Sequence, residues 1–293
     1  MEVEKKQQDF RLDALKIKKN KQMKKILALC IGIALTCGIA TAQDSLYIYG
    51  GGKVICKRAT SKIDSVIFHK VVIPPILYGN LTDIENNSYK TTTIGTQTWM
   101  AENLKVTKYN DNSTIPNVTN ETAWIALTTG AFCTYNNTTN TDTIKTYGRL
   151  YNWFATNTGK LCPTGWHVPN DSEWTVLRNY LITNGYNYDG SKTDDKTAKS
   201  LASTTGWNSV STMGAIGHNP SLNNRTGFSS LPGGDRDFSG AFVNIGNSTY
   251  WWSSTEIAPG IISNYWNLNY DSGTLSSFGT REFSGFSVRC LKD

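Results

Sequence analysis

One stretch of the chain, residues 161–184, combines a strand pattern with a helix pattern. Trp166 and Val168 alternate with polar residues, which predicts a short strand. Behind this strand, apolar residues recur at i, i+3 and i+7, which predicts a helix with one apolar stripe facing a core; they are Trp174, Leu177 and Leu181. We therefore expect a strand–helix unit around which the rest of the chain is organised.

Both ends of the predicted helix carry residues that favour a helix boundary. Pro169 ends the strand, and Asn170 has Glu173 three residues later, which is the spacing of a capping box. Asn184 and Gly185 follow the last apolar position, where a left-handed residue ends many helices. The helix is therefore expected to begin after Asn170 and to stop at Asn184 and Gly185.

The rest of the chain is mixed in its first half and rich in strand patterns in its second. In the first half we expect, in order, a strand at 94–100 that continues through 101–106, a loop at 110–140 with one helical turn at Trp124, and short helices at 147–156 and 194–203. From Gly206 onward, short strand patterns alternate with Gly, Asn and Ser turns: FSSLPG, GAFVNI, TYWWSS, YWNLNY and FSVRC. This order predicts an α+β fold.

The N-terminal part is expected to be a separate small element. Residues 44–70 alternate apolar and polar positions on both sides of three glycines, which predicts a β-hairpin or a three-stranded flap. Because an isolated hairpin is barely stable in water, we expect it to pack on the main domain or on a neighbouring molecule. We assign this element to residues 43–70, an extended linker to 71–80 and the main domain to 81–293.

Residues 23–42 have the layout of a secretory signal, with two lysines, about 15 apolar residues and a final Ala-Thr-Ala. The apolar run is too short to span a bilayer comfortably. We assign residues 1–42 as leader and signal peptide and expect export to the periplasm, the cell surface or the exterior. The alternative, a lipoprotein anchored at Cys37, lacks the expected Leu three positions before that cysteine and the small residue immediately before it.

The predicted leader carries most of the net positive charge. Residues 1–42 hold 9 of the 29 basic and 4 of the 23 acidic residues, which leaves 20 against 19 in the mature chain. The composition therefore gives no support to nucleic-acid binding.

Four cysteines remain after signal removal: Cys56, Cys133, Cys162 and Cys290. In an exported protein we expect pairing, and four cysteines allow three connectivities. We favour Cys162–Cys290, because this bond ties the strand before the helix to the last strand and closes a loop of 128 residues. Cys56 and Cys133 are then free or paired with each other. No Cys/His spacing indicates zinc, and we expect no cofactor.

Six ordered runs in the main domain resemble the Fibrobacter succinogenes major paralogous domain, a family of exported bacterial domains of unassigned activity. The runs are IGTQTWMAENLKV, YGRLYNWFA, LCPTGWHVPNDSEW, GFSSLPGGDRDFSGAF, YWWSSTE and GFSVRCLKD. The resemblance covers the chain from about residue 81 to the end. The N-terminal strand-rich segment resembles leaders found on exported proteins of gut Bacteroidetes.

A more distant likeness concerns the fold. HVPNDSEW is similar to the Arg-Leu-Pro-Thr-Glu-Ala-Glu-Trp run of formylglycine-generating enzymes, and GFSVRC resembles their Gly-Phe-Arg-Val ending. This likeness implies a C-type-lectin-like domain, with two to three short helices beside a mixed twisted sheet and long loops that present a binding face. Those enzymes need a redox-active cysteine pair late in the domain, and residues 231–286 contain no cysteine. The likeness therefore implies the fold and not the activity.

Two groups of residues are candidates for ligand binding. Arg236 and Asp237 lie in a turn beside Asp235, and Glu256 and Asp271 are further oxygen donors for calcium; the alternative, which we favour, is a turn with a solvated Asp–Arg pair. The second group is the aromatic run, in which an exposed ring would form a platform for a sugar or a protein: Trp251, Trp252, Tyr265, Trp266 and Tyr270.

The aromatic candidates also have a structural interpretation. Trp251 and Trp252 are consecutive and point to opposite faces of any regular strand, so at least one is exposed unless loops cover both. We favour covered rings. Cys162 and His167 would form a thiol–imidazole couple only if the thiol were reduced, and we favour the disulfide.

These observations lead us to expect an exported, non-catalytic binding or adhesion protein, whose loops present a face for a glycan or protein ligand. The first alternative is a structural subunit of a surface fibre, with the N-terminal hairpin as its assembly contact. The second is an enzyme related to the formylglycine-generating group.

Overall fold

A computed structural model describes the backbone of residues 45–50 and 53–59, and residues 75–293 in full. The predicted signal segment, residues 60–70 of the predicted hairpin element and residues 71–74 of the predicted linker lie outside the described residues. The chain divides into two compact units, residues 1–70 and 71–293. In the first unit, β1 (Ser45–Gly50) pairs antiparallel with β2 (Lys53–Ala59), so the predicted N-terminal hairpin is present.

The second unit mixes helices and strands. Its helices are α1 (Glu121–Ile125), α2 (Thr141–Tyr147), α3 (Trp153–Thr156), α4 (Asp171–Thr183) and α5 (Ala198–Leu201), with 3₁₀ turns at Tyr135–Asn137 and Pro220–Leu222. Its strands are β3 (Gly79–Thr82), β4 (Ser88–Ile94), β5 (Gln97–Met100), β6 (Phe132–Cys133), β7 (Leu150–Tyr151), β8 (Trp166–His167), β9 (Gly233–Arg236), β10 (Phe242–Ile245), β11 (Ser248–Ala258), β12 (Ile262–Asn269), β13 (Ser276–Arg281) and β14 (Leu291–Lys292).

Two five-stranded sheets form the framework of this unit. The first has the order β3-β4-β5-β14-β8 and is antiparallel throughout. The second has the order β10-β9-β11-β12-β13, in which only the β9–β11 pair is parallel. The predicted combination of helices with mixed sheets is therefore confirmed at the level of the α+β class.

Helix α4 has the predicted capping box. The Asn170 side chain accepts from the Glu173 N–H at 3.1 Å, and the Glu173 carboxylate accepts from the Asn170 N–H at 2.8 Å. At the other end, Gly185 adopts a φ of +74° and the Tyr186 N–H reaches back to the Leu181 carbonyl at 2.9 Å. Both predicted ends of the helix are thus confirmed, because they depend on neighbouring residues alone.

Two large apolar clusters lie on opposite faces of β11. Trp251 packs on one side, where the indole of Trp174 from α4 stacks at 5.7 Å. Trp252 packs on the other side, 4.6 Å from the ring of Phe286. The alternation of a strand therefore places each consecutive tryptophan in a different core.

The closing segment, residues 284–290, connects the two sheets. Its backbone forms single bridges from Gly285 to Arg236, from Phe286 to Tyr151 and from Ser287 to Trp251. Strand β14 then pairs with both β5 and β8, and Cys290 is bonded to Cys162. This is the pairing that the sequence favours. The segment runs through the interior as isolated bridges rather than as the continuous strand expected for FSVRC.

Other predicted boundaries differ from the structure. The expected strand at 94–100 is a hairpin, because Gly95 turns the chain with a φ of +64°, and residues 101–106 do not continue it. The expected helix at 147–156 is a two-residue strand followed by one helical turn, and the helix at 194–203 shrinks to α5. In the part of the chain that the structure describes, no helix combines the length and apolar character needed to cross a membrane.

Candidate functional site

The tryptophans of the candidate aromatic platform are buried. Trp251 and Trp252 have no exposed surface and Trp266 is 2 % exposed, whereas Tyr265 and Tyr270 are half-buried. A ligand cannot stack on rings that neighbouring residues already cover. The three tryptophans therefore do not form an exposed platform. Neighbouring residues cover them, as in the alternative that we favoured from the sequence.

Arg236 and Asp237 do not form the expected Asp–Arg pair. Arg236 is buried; its guanidinium donates to the carbonyls of Gly240, Val118 and Thr119 at 2.9–3.0 Å and lies 4.6 Å from the Trp124 ring. The Asp237 carboxylate instead accepts three hydrogen bonds from Ser239 and Ala241 and so closes the β9–β10 turn. Both residues stabilise the turn, with Arg236 buried and Asp237 partly exposed.

Asp235 is buried without a cation. Burial raises the pKa of its carboxyl to about 7, although a hydrogen bond from Asn244 at 2.9 Å opposes the rise. Glu256 and Asp271 were the further oxygen donors of the calcium alternative. The described residues contain no group of three or more His, Cys, Asp or Glu side chains placed to hold a metal, so these donors are not assembled with Asp235 into such a group.

Cys162 lies in the favoured disulfide, so the alternative thiol–imidazole couple with His167 is not formed. His167 is held by two carboxylates, Asp293 at 2.6 Å from Nδ1 and Glu173 at 2.9 Å from Nε2. Burial works against the imidazolium, but these hydrogen bonds outweigh it and raise the pKa of His167. Cys133 is a free thiol, and burial raises its pKa to about 12, which leaves it uncharged and a poor nucleophile.

A polar cleft of about 460 Å³ lies elsewhere in the second unit. It is formed by β4, the segment after β5, helix α2, the loop before β9 and the closing segment. Its lining residues are Tyr78, Lys90, Ala101, Glu102, Asn103, Asp142, Lys145, Thr146, Ser229, Leu231 and Arg289. The volume lies within the range of small-molecule binding sites in proteins.

Arg289 is the buried charge of this cleft, with 2 % of its surface exposed. Its Nε donates to the Asn103 side chain at 2.9 Å, and its terminal nitrogens donate to the carbonyls of Phe228 and Ser229. The guanidinium also lies 4.3 Å from the Phe228 ring. Because Arg289 immediately precedes Cys290, the disulfide fixes the segment that carries it.

Asn103 holds the guanidinium in place. Its side-chain oxygen accepts from Arg289 Nε and from the Trp251 indole N–H at 3.2 Å, and its amide donates to the Tyr147 carbonyl at 2.9 Å and to Ser287 Oγ at 3.1 Å. These partners lie in three parts of the chain: helix α2, strand β11 and the closing segment. The position of the guanidinium is therefore set by contacts between distant parts of the fold.

The charge of Arg289 is not neutralised by an ion pair. Three of its five N–H donors reach described residues, and no ion pair among the described residues includes it. Burial lowers the pKa of Arg289 to about 9, and the nearby carboxylate of Glu102 opposes this change. The side chain thus remains a cation at neutral pH in a site where a cation is costly.

The rim of the cleft carries charges of both signs. Lys90 and Lys145 contribute two cations, and Glu102 and Asp142 two carboxylates. Glu102 is fixed because it accepts from the Lys90 N–H at 2.7 Å. The Tyr78 hydroxyl, on the same rim, lies 3.0 Å from Ser229 Oγ. Together with Arg289, these groups leave the cleft with one positive charge in excess.

A second cavity, of about 280 Å³, is lined by residues that include Asp83, Lys108 and Cys162. Asp83 already accepts hydrogen bonds from two backbone N–H groups, from the Asn87 amide and from the Tyr89 hydroxyl. Its carboxylate is therefore occupied by the fold, and the cleft around Arg289 is the better candidate site.

The sequence contains one signal for this cleft that periodicity does not reveal. Arg289 takes a polar position in the alternating run FSVRC, and its neighbours Val288 and Cys290 are both buried. A charged residue inside a core strand marks a structural or functional site. Whether Arg289 marks a structural or a functional site depends on the residues around it in the fold, and these residues are distant in sequence.

The described unit is thus a mixed α+β domain with a polar cleft at its closing segment. The family model described as the Fibrobacter succinogenes major domain matches residues 92–292, which is well over half of the chain. The chain belongs to the Fibrobacter succinogenes major domain family, and Arg289 lies inside the matched region. No curated protein and no solved structure matches the chain.

Proposed function

We propose that this chain is an exported, non-catalytic binding protein and that the cleft around Arg289 is its recognition site. The observation that carries the proposal is the cleft itself, which has a volume of about 460 Å³ and contains Arg289 and Asn103, two polar side chains that the core holds in place. Preorganised donors and acceptors favour binding, because little side-chain freedom is lost when a ligand enters.

Two features support export. Residues 23–42 carry the basic, apolar and small-residue pattern of a secretory signal. The Cys162–Cys290 bond belongs to the chemistry of oxidising compartments, where disulfides form and persist. The mature protein would therefore meet its ligand in the periplasm, at the cell surface or outside the cell.

The residues best suited to nucleophilic chemistry have other roles. Cys162 is bonded, Cys133 is buried and uncharged, and His167 is held between two carboxylates. These contacts favour a binding role over the chemistry of the formylglycine-generating group. We further propose a C-type-lectin-like arrangement, since the cleft is built largely from the loops and short elements between the strands.

The proposal is tested by screening the mature chain, residues 43–293, on a glycan array and in pulldowns of exterior proteins. Replacing Tyr78 by Ala or Lys145 by Gln should lower binding because both residues line the cleft. The matched controls are Tyr188→Ala and Lys192→Gln, which change exposed residues outside it. Turnover of a substrate without any binding above background would refute the proposal.

A second function is favoured by the division of the chain into two compact units. The hairpin β1–β2 is small for an independent fold, so we propose as the alternative that it contacts a partner subunit in a surface assembly. Deleting residues 43–70 separates the two functions. Loss of surface assembly with ligand binding retained would support the structural role of the hairpin.

A further inference from the structure

The cleft contains a buried guanidinium whose charge no described carboxylate neutralises. Arg289 has two N–H donors that reach no described residue, and the side chain lines the cleft. We propose that the cleft binds an acidic saccharide, whose carboxylate is received by Arg289. This inference rests on the proposal that the cleft is the recognition site.

The case for an anion comes from the cost of burying a charge. A buried cation is stable only when paired or well hydrogen-bonded, and carbonyls supply partial charge but not neutralisation. A guanidinium offers its donors in a fixed fork that matches the two oxygens of a carboxylate. A carboxylate in the cleft would supply both the missing charge and the missing acceptors.

The buried Arg236 offers an internal comparison. It also donates three hydrogen bonds to carbonyl oxygens, and it lies between the rings of Trp124 and Phe242 at 4.6 and 4.9 Å. Arg289 lines the cleft of about 460 Å³, and Arg236 does not. Hydrogen bonding alone therefore does not distinguish the two arginines; access to a cleft does.

The rim charges select a single negative charge. Arg289, Lys90 and Lys145 oppose Glu102 and Asp142, so a monoanion balances the cleft. A phosphate group would bring up to two negative charges close to both carboxylates, and like charges repel. The composition of the rim therefore favours a carboxylate over a phosphate.

The remaining lining groups favour a saccharide over a peptide. Apart from Tyr78, the only apolar residues are Ala101 and Leu231, which are too few to form pockets for peptide side chains. Apart from the three cations, the rest of the lining consists of hydroxyl, amide and carboxylate groups, among them Thr146, Ser229 and Asn103. Such groups can exchange hydrogen bonds with the hydroxyls of a sugar, and the Tyr78 ring can cover one of its faces.

The test measures binding of the mature chain to D-glucuronate and D-galacturonate and to their methyl esters, by calorimetry at low salt. Because the ester lacks the negative charge and adds only a methyl group, we expect at least one acid to bind about tenfold or more tightly than its ester. Inorganic phosphate and N-acetylalanine are the comparison probes. Equal affinity for acid and ester, no acid binding, or phosphate or N-acetylalanine binding as tightly as the acid would overturn the inference.

Variants assign the effect to the cleft. Arg289→Gln should abolish the preference for the acid, whereas Arg236→Gln, an equally buried arginine outside the cleft, should keep it. If Arg289→Gln does not fold, Glu102→Gln and Lys145→Gln carry the test, because the first should strengthen and the second weaken acid binding relative to the ester. Lys192→Gln should leave both affinities unchanged, and an unaltered preference in Glu102→Gln and Lys145→Gln would contradict the inference.

The two proposals fail in different ways. Neutral glycans that bind in the cleft, with no preference for the acid, would overturn the carboxylate inference and leave the binding function in place. An array and pulldown with no ligand at all, together with no acid binding, would overturn both.

Discussion

Buried charges in this domain are compensated in different ways. Arg236 is fixed by three carbonyls between two aromatic rings, and Arg289 by two carbonyls and Asn103 at the edge of a cleft. Asp235 has no cation beside it, and burial instead raises the pKa of its carboxyl to about 7. Of these three groups, Arg289 is the one that lines the cleft, where the negative charge of a ligand would neutralise it.

Asp235 predicts a pH dependence at the residue scale. Because burial raises its pKa from 3.8 to about 7, the folded state binds the proton more tightly, and stability falls as pH rises between these values. Above pH 7 the full loss of unfolding free energy is reached, and it amounts to roughly 4 kcal/mol. Asp235→Asn keeps the acceptor for Asn244 and removes the charge, so its free energy of unfolding relative to wild type should increase from pH 4 to pH 8.

Urea denaturation at both pH values measures this change. The matched control is Asp271→Asn, an exposed carboxyl on the same half of the chain, whose stability relative to wild type should stay constant. A difference between Asp235→Asn and wild type that does not change with pH would contradict a buried, protonated carboxyl.

At the scale of elements, helix α4 depends on its N-terminal cap. Asn170→Ala removes the acceptor for the Glu173 N–H and should cost about 1 kcal/mol of unfolding free energy. Asn179→Ala makes the same chemical change at an exposed position inside the helix, where Ala has the higher helix propensity. Thermal or urea unfolding should therefore show destabilisation for the first variant alone; equal effects would contradict the role of the cap.

The same helix is joined to the C-terminal residue through His167. Since the hydrogen bonds to Asp293 and Glu173 raise its pKa, the stabilisation is complete below the unfolded pKa of about 6.5 and is lost as pH rises through the folded value. His167→Gln should therefore lower the melting temperature more at pH 5.5 than at pH 9. A deficit that is the same at both pH values would show that the imidazolium does not contribute.

At the scale of the whole molecule, the Cys162–Cys290 bond joins the strand before α4 to the closing segment. It closes a loop of 128 residues, and chain-entropy models give a stabilisation of about 5 kcal/mol for a loop of this length. The double variant Cys162→Ala/Cys290→Ala should lose a stability of this order in urea denaturation and should also bind ligand more weakly, because Arg289 adjoins the bond. Cys133→Ala keeps the bond and serves as the control; equal stability of the double variant and wild type would contradict this account.

How much of the molecule the sequence predicts depends on the range of the interactions. The cap of α4, its buried stripe and its stop are local, and all are confirmed. The opposite orientation of Trp251 and Trp252 follows from strand geometry, but their burial depends on Trp174 and Phe286, which come from distant elements. Periodicity predicts on which face a side chain lies and does not predict what covers it.

The cleft could not be predicted for the same reason. Tyr78, Lys145, Ser229 and Arg289 meet only in the folded chain, since they are separated by tens of residues in the sequence. Nothing local to Arg289 reveals that it lacks an acidic partner. The candidates read from the sequence, Arg236 and the tryptophans, were selected for their residue type, and the structure uses them in the core.

The central claim is that Arg289, fixed by the closing segment, receives the carboxylate of a bound saccharide. A crystal structure of the mature chain with the acidic sugar of highest affinity tests it most directly. We predict sugar density in the cleft with its carboxylate within hydrogen-bonding distance of the Arg289 guanidinium. Sugar bound on another surface, or in the cleft with its carboxylate turned away from Arg289, would contradict the claim.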